Sequence, residues 1–284
     1  MSPKPKVGMS LYTYGADIRR SRMTVREAIE HAASLGVEGI EFVDKQHIPN
    51  YPNPGVYDLW GLRDCVKSSG MKVSCYSTYV DRAIRSDREA TREEIVKMIR
   101  EQIAVASILG AKVYRPAIFP SRRVNRTLGF GSEAHFREVA EIVKEVLPDL
   151  RKHNVKWGSE IHAPMPPEAT LNFAKQVNDE SVGLVPDFSV WATGQALETH
   201  AAGKASLGSL RAVMPYTVHV HAKAHGFDKN GEERNTPYKE LLTVIKESGY
   251  DEYVSAEFEG WWEGEDFDSR KIAETHVNLI RRYL

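Results

Sequence analysis

This chain has few cysteines, no apolar run long enough to cross a bilayer, and almost no excess of charge of one sign. Cys65 and Cys75 are the only cysteines among 284 residues; they are too few for a disulfide framework or a cysteine-rich zinc site, and they favour a reducing compartment. The longest apolar runs, such as 103–111, are far shorter than the ~20 residues that cross a bilayer. The chain has 38 basic and 39 acidic residues. It therefore has no long-range positive field that would attract nucleic acid or an anionic membrane.

Two further absences bear on the location and the fold of the protein. The first residues, Met-Ser-Pro-Lys-Pro-Lys, lack the apolar stretch of a signal peptide, so we expect a cytoplasmic protein. No Gly-x-Gly-x-x-Gly turn follows the first predicted strand, which argues against a doubly wound dinucleotide-binding sheet. Hydrophobic residues make up 42% of the chain, enough for a substantial core.

Strand-like and helical segments alternate along the whole chain. The predicted strands are 7–12, 37–43, 72–76, 112–115, 156–160, 182–186, 217–222 and 253–257. Two of the helices between them begin at capping boxes, Thr24-Val-Arg-Glu27 and Thr91-Arg-Glu-Glu94. Eight parallel βα units of about 35 residues each predict an α/β fold, a single (β/α)₈ TIM barrel over residues 1–284.

Histidines mark the seventh predicted strand. In Tyr216-Thr-Val-His-Val-His-Ala-Lys-Ala-His225, two valines alternate with His219 and His221, and Lys223 continues the histidine parity. A period of two is strand geometry, so the valines face the helices and the histidines face the barrel interior. The chemistry of such a barrel lies at the C-terminal ends of its strands.

Acidic residues end the other late strands at equivalent positions. Glu160, Asp187, His221 and Glu257 follow one another at intervals of 27 to 36 residues, about one βα unit each. In a barrel this spacing places four side chains around one point at the C-terminal face. Three converging carboxylates repel one another unless a cation lies between them, and together with one imidazole they suit Mn²⁺ or Mg²⁺, with Co²⁺ or Zn²⁺ as alternatives.

The motifs that carry these residues resemble those of the xylose isomerase-like barrels, a family of sugar isomerases, epimerases and related enzymes. Glu160-Ile-His162 resembles the family's Glu-Asn-His after strand five, and His219-Val-His221-Ala-Lys223 resembles its His-x-His-x-Lys. The segment 249–260 is similar to the last-strand pattern. The resemblance implies that Glu160, Asp187, His221 and Glu257 bind one divalent metal ion, with His219 one layer deeper as an orienting or core residue.

The resemblance also implies a reaction. The metal polarises a sugar carbonyl, a carboxylate removes the proton from the neighbouring carbon, and a metal-bound enediolate forms. Glu160 and Glu257 fit the base and acid roles. We therefore expect a metal-dependent sugar isomerase or epimerase, with a lyase or dehydratase acting on a keto-inositol, a dehydroshikimate-like acid or a 3-keto-glycoside as the alternative.

Residues near the ligands are predicted to bind substrate. His162 and Lys223 share strand parity with metal ligands, and a structural role is the alternative for both. Arg115 ends the fourth strand and could bind an oxyanion or form an ordinary salt bridge. Glu259 and Trp191 follow strands eight and six, where a rim charge and rim or subunit packing are their respective alternatives. Further candidates around the rim are Tyr12, His47, Trp261, Trp262 and the basic run Arg122, Arg123 and Arg126.

One departure from the family pattern affects the expected activity. Many members carry His three residues after the strand-six Asp, whereas this chain has Asp187-Phe-Ser-Val190. This puts simple ketohexose epimerisation in doubt and favours a lyase or a bulkier substrate. We expect a small carbohydrate substrate and a homo-oligomer by analogy with the family, a hetero-subunit being the alternative. An endonuclease IV-like nuclease is disfavoured by the single ligand His and the net charge, and the complete ligand set argues against a non-catalytic sugar-binding subunit.

Overall fold

The computed structural model describes residues 4–80, 88–119, 131–162, 165–192, 205–260 and 268–284. Eight β-strands run through these segments: β1 Lys6–Ser10, β2 Gly39–Val43, β3 Lys72–Val80, β4 Val113–Ile118, β5 Lys156–Ile161, β6 Val182–Pro186, β7 Val220–Ala224 and β8 Tyr253–Phe258. All the predicted strands are present. β3 extends beyond its predicted end at Tyr76, and β7 begins three residues later than predicted but includes Lys223.

The strands form one parallel sheet that closes into a barrel. Their order is β6-β5-β4-β3-β2-β1-β8-β7, and single parallel bridges from Leu184 to Thr217 and from Asp187 to His221 join the two ends. This arrangement confirms the predicted (β/α)₈ barrel. It also places the C-terminal ends of all eight strands around one opening.

Ten α-helices lie in the described segments: α1 Gly15–Arg19, α2 Val25–Ser34, α3 Asp44–His47, α4 Val56–Ser68, α5 Arg92–Leu109, α6 Glu133–His153, α7 Pro167–Val177, α8 Leu207–Val213, α9 Tyr238–Glu247 and α10 Ser269–Tyr283. Both predicted capping boxes form, at the starts of α2 and α5. The short helices α1 and α3 were not predicted. They follow β1 and β2 in the chain and have five and four residues, too few to show a helical period.

Glycine allows the barrel to close between β6 and β7. A Cβ at Gly183 would lie 2.3 Å from a side-chain carbon of Val218 and 2.7 Å from the carbonyl oxygen of Tyr216. Only a residue without a side chain permits this approach. Outside the barrel, apolar helix faces pack on the strands, with Ile99, Ile103 and Leu241 among the fully buried residues.

No helix within the described segments is both long and apolar enough to cross a membrane.

Candidate active site

The four predicted ligand residues meet at the C-terminal end of the barrel. Glu160 comes from β5, Asp187 directly follows β6, His221 lies in β7 and Glu257 in β8. One potential ligand atom from each lies within 4.8 Å of those of the other three. The side chains of Asp187 and His221 are inaccessible, and that of Glu160 is 10% exposed. The spacing of one βα unit between successive residues therefore gives the convergence that the sequence predicts.

His221 lies at the centre of this cluster. Its Nδ1 is 2.6 Å from Glu160 Oε1, 3.1 Å from Glu257 Oε2 and 4.0 Å from Asp187 Oδ2. One oxygen of Asp187 accepts a hydrogen bond from the Ser189 backbone N–H at 2.8 Å, at the start of a 3₁₀ turn over Phe188–Trp191. That bond holds the carboxylate in place while its other oxygen faces the cluster.

The metal-free cluster contains charges that are balanced by protons and by neighbouring cations. Burial disfavours a charged imidazole, but Glu257 and Glu41 outweigh this effect and hold the pKa of His221 well above its usual range. Burial likewise opposes ionisation of Glu160, but Arg115 and His221 hold the pKa of Glu160 below its usual range. Burial raises the pKa of Glu257. Protonation of His221 therefore supplies one of the positive charges that the carboxylates require.

The donor atoms of the cluster fit a divalent ion. Asp187 Oδ2 and Glu257 Oε2 are buried and accept no hydrogen bond from the described residues, although buried carboxylate oxygens are costly to leave unsatisfied. Three carboxylates and one imidazole form a mainly hard, oxygen-rich set that suits Mn²⁺ or Mg²⁺. An ion beside His221 Nδ1 would take over the charge that the proton supplies.

Lys223 links the cluster to the outer part of the site. Its Nζ lies 2.9 Å from Glu259 Oε2, 3.3 Å from Asp187 Oδ2 and 3.5 Å from Glu257 Oε2. Burial lowers the stability of a charged ammonium, but Asp187 and Glu257 outweigh burial and hold the pKa of Lys223 well above its usual range. Lys223 is therefore a positive charge that lies between the four converging residues and the outer residues of the site.

Glu259 forms the outer part of the site with Tyr12 and His162. The Tyr12 hydroxyl donates to Glu259 Oε1 at 3.2 Å, and His162 Nε2 lies 4.0 Å from Glu259 Oε2. His162 and Glu259 retain 26% and 20% of their side-chain exposure, so this is the side from which a ligand can enter. Burial opposes protonation of His162, yet Glu259 and Asp187 raise the pKa of His162 to about 9.

Arg115 lies beneath Glu160 and not at the open side. The guanidinium is buried, and its Nη1 is 3.5 Å from Glu160 Oε2. It also stacks over the Tyr79 ring at 5.4 Å. Its Nε and Nη1 make no hydrogen bond with the described residues, and Nη1 contributes to this site through the ion pair with Glu160. The predicted substrate role of Arg115 stays a prediction beside this ion pair.

Trp191 is buried, and its indole N–H donates to Ser206 O at 3.1 Å and Ser209 Oγ at 3.3 Å. These bonds join the 3₁₀ turn to the start of α8. Only the face or edge of the Trp191 ring is therefore left to contact a substrate, and that contact stays a prediction.

His47 is buried, and its Nδ1 accepts from the Val43 N–H at 2.8 Å. Trp261, Trp262, Arg122, Arg123 and Arg126 lie outside the described residues.

Glu41 is a component of the site that the sequence analysis did not single out. It lies in β2, is fully buried and accepts hydrogen bonds from His219 and His221. The sequence does contain a signal for it. In Gly39-Ile-Glu-Phe-Val, one acidic residue interrupts an apolar strand, and a carboxylate at such a position requires a buried partner.

Comparisons with known proteins agree with this architecture. The chain is 23% identical to the 3'-dehydrocarminate deglycosidase alpha subunit of a Microbacterium species, over 98% of this chain and 95% of the relative. It is 22% identical to a C-glycoside deglycosidase alpha subunit of Arthrobacter globiformis, over 90% of this chain and 84% of the relative. Among solved structures, a D-psicose 3-epimerase from Clostridium cellulolyticum with D-tagatose superposes with a TM-score of 0.72 at 14% identity, over 98% of this chain and 99% of that one.

The strongest assignment comes from the family comparison. The sequence model of one family, described as the xylose isomerase-like TIM barrel, matches residues 29–283. That range includes the four converging residues and every strand except β1. The chain therefore belongs to the xylose isomerase-like TIM barrel family.

Proposed function

We propose that this protein is a divalent-metal-dependent lyase that removes the aglycone from a 3-keto-glycoside. The observation that carries the proposal is the buried convergence of Glu160, Asp187, His221 and Glu257 within 4.8 Å. The sequence relatives support the choice of reaction, because deglycosidase alpha subunits align with 98% and 90% of this chain. The segment Asp187-Phe-Ser-Val190, which lacks the family's substrate-contacting His, also favours this reaction over simple epimerisation.

The proposed reaction begins with a proton transfer. A bound divalent ion would supply Lewis acidity at the sugar carbonyl. Glu160 or Glu257 removes the proton from C2, next to the C3 carbonyl. The electron pair of that C–H bond forms a C1=C2 double bond, the bond from C1 to the aglycone breaks, and the aglycone leaves with its electron pair and then takes up a proton. The products are a 1,2-unsaturated 3-keto sugar and the free aglycone.

Residues of this chain supply the acid, the base and the orientation. Arg115 keeps Glu160 ionised and suited to the role of base, and Glu257 is the second carboxyl group of the proposed pair. Lys223, His162 and Glu259 line the side that remains open, where they can bind sugar hydroxyls. The buried walls exclude water from the reacting carbon.

Isomerisation or epimerisation, the first expectation from the sequence, shares the initial step. Returning the proton to the opposite face of the same carbon gives an epimer, and returning it to the neighbouring carbon gives an isomer. The ligand cluster supports all these reactions equally, so the fate of the substrate distinguishes them.

NMR in deuterated water tests the proposal. Metal-loaded protein is incubated with a 3-keto-C-glycoside and, separately, with a panel of ketoses and keto-inositols. Release of the aglycone with formation of an unsaturated keto sugar is the expected result. Deuterium incorporation with a rearranged sugar and no release would identify an epimerase or isomerase instead.

Two substitutions test the acid–base pair. Glu160→Gln and Glu257→Gln should each abolish proton exchange beside the carbonyl, because an amide can neither accept nor donate that proton. Glu252→Gln is the matched control, since Glu252 is exposed and pairs with Lys6. Metal content is measured in each variant to separate loss of the ion from loss of the base. Retained exchange in both active-site variants would rule out the pair.

We also propose that activity requires a second, different subunit. Both deglycosidase relatives are named alpha subunits, and they align with most of this chain. Light scattering of the protein purified alone and after co-expression with a candidate partner gives the stoichiometry. Full elimination activity of the isolated chain would contradict the requirement.

A further inference from the structure

Glu41 connects two strands across the barrel interior. Its Oε2 accepts from His221 Nε2 at 3.0 Å and from His219 Nε2 at 3.3 Å, and its Oε1 accepts from Ser77 Oγ at 2.5 Å. β2 and β7 are not neighbours in the sheet, so these bonds cross the inside of the barrel. Glu41 and both histidines have no exposed surface.

The hydrogen bonds determine which nitrogen of His221 carries a proton. An ionised carboxylate can only accept hydrogen bonds, so the nitrogen facing Glu41 must be the donor. Nε2 of His221 therefore carries hydrogen, which leaves Nδ1 to face Glu160 Oε1 at 2.6 Å and Glu257 Oε2 at 3.1 Å. Nδ1 is thus the only nitrogen of this ring that can bind an ion in the cluster.

We propose that Glu41 is a positioning residue that holds the His221 ring with Nε2 protonated and directs Nδ1 to the metal. This inference rests on the proposed function, since it assumes that the cluster binds a divalent ion. Glu41 would act through His221, because it contacts Nε2, the nitrogen that does not face the cluster. Carboxylates that accept from a ligating histidine fix the ring orientation and increase the basicity of the ligand nitrogen.

A different role for Glu41 can be separated from this one. Glu41, Cys75 and His219 also bring ligand-type atoms within 4.8 Å of one another, which could describe a second metal site. The hydrogen bonds favour positioning instead, because Glu41 Oε2 accepts from His219 Nε2, and a nitrogen that carries hydrogen has no lone pair for an ion. Cys75 Sγ is 3.8 Å from Ser77 Oγ, and without a bound ion burial raises the pKa of the thiol well above its usual range.

The nitrogen assignment can be measured directly. Wild-type protein labelled with ¹⁵N at histidine is loaded with Zn²⁺, a diamagnetic probe, and long-range ¹H–¹⁵N spectra are recorded. His221 should show a ligated Nδ1 and a protonated Nε2 that exchanges slowly with solvent. Ligation through Nε2 would overturn the inference while leaving the metal site intact. Absence of Zn²⁺ binding by wild-type protein would instead overturn the proposed metal-dependent function, and this inference with it.

Glu41→Gln tests the energetic role of the carboxylate. The amide carries no charge and directs an NH₂ group at donors that need an acceptor, so the Kd for Zn²⁺ should rise by about 10- to 100-fold. The spectra of His221 should also show mixed or exchanging tautomers. A Kd within about twofold of wild type, with His221 unchanged, would overturn the inference. If the variant does not fold, the wild-type spectra still decide the nitrogen assignment.

Cys75→Ala is the matched control within the same buried region. It removes a neighbour of Glu41 but none of the three hydrogen bonds to its carboxylate. Its Kd for Zn²⁺ should stay within about twofold of wild type at one ion per chain. A second Zn²⁺ that binds to wild type and is lost from Cys75→Ala would make Glu41 a metal ligand and refute the positioning role.

Discussion

Binding of a divalent ion to this site is expected to release a proton from His221. In the metal-free protein, Glu257 and Glu41 outweigh the effect of burial and hold the pKa of His221 well above its usual range. We therefore expect the imidazole to carry a proton on each nitrogen before an ion binds, and its Nδ1 lies 2.6 Å from Glu160 Oε1. Since a metal needs the lone pair of Nδ1, the ion can bind only after this proton has left.

The pH dependence of metal binding follows from this replacement of a proton by the ion. If one proton is released per ion, the apparent Kd falls by about tenfold for each unit of rising pH below the pKa of His221. The Kd falls as the pH rises because the raised pKa of His221 lets protons compete with the ion more strongly at low pH. Burial also raises the pKa of Glu257, so release of more than one proton fits the same account.

Calorimetry can count the protons. Mn²⁺ is titrated into metal-free protein at pH 6, 7 and 8, in buffers with different enthalpies of ionisation. The observed enthalpy should depend linearly on the buffer enthalpy, with a slope of about one proton or more per ion. A Kd that is unchanged across this pH range, with no dependence on the buffer, would refute the reasoning. His221→Asn should bind Mn²⁺ more weakly and release correspondingly fewer protons.

Three further outcomes are expected from the structure. Arg115→Met removes one of the two cations beside the buried carboxylate of Glu160 and leaves His221 as the other. Urea unfolding of metal-free protein should therefore show a loss near the lower end of the about 3–5 kcal/mol range, and a loss below about 1 kcal/mol would contradict the ion pair. Burial lowers the pKa of His276 to about 3, so the unfolded state binds a proton that the folded state excludes. Below the unfolded pKa of about 6.5, each unit of falling pH should therefore cost up to about 1.4 kcal/mol of the free energy of unfolding. His276→Asn should reduce the slope of that free energy against pH between about pH 6.5 and 4.5. Equal slopes in wild type and variant would show that His276 is not the cause. Gly183→Ala introduces a Cβ 2.3 Å from a side-chain carbon of Val218, just before β7, and should destabilise the barrel by about 1–3 kcal/mol. Its control is Gly61→Ala, where the added Cβ meets nothing within 4 Å and thermal unfolding should show no loss.

Local sequence patterns were sufficient for most of the architecture. Period-two segments and capping boxes depend on residues close in the chain, so the strands and the starts of α2 and α5 are predicted correctly. The four converging residues are also predictable, because a βα unit has a nearly constant length and strand ends lie at similar heights in a barrel. The short helices α1 and α3 escaped prediction because neither is long enough to show a period.

The partners of the site residues were less predictable. Arg115 was predicted either to bind an oxyanion of the substrate or to form a salt bridge. The structure shows an ion pair with Glu160 at 3.5 Å, and the substrate contact stays a prediction. Trp191 was predicted either to line the substrate pocket or to pack at the rim. The structure shows that its N–H donates to Ser206 O, and the substrate contact stays a prediction. In each case the residue type indicates which interactions it can make, but packing between different βα units decides which one it makes.

The sequence by itself determined the parallel βα order, the parity of His219 and His221, and the repeated spacing of the acidic strand ends, because each depends on contacts or distances along one βα unit. Only the tertiary structure decided that Glu41 bonds to His221, a residue 180 positions away. That contact crosses the barrel between strands that are not neighbours. It depends on the closure of the sheet between β6 and β7, which brings all eight strands around a common interior.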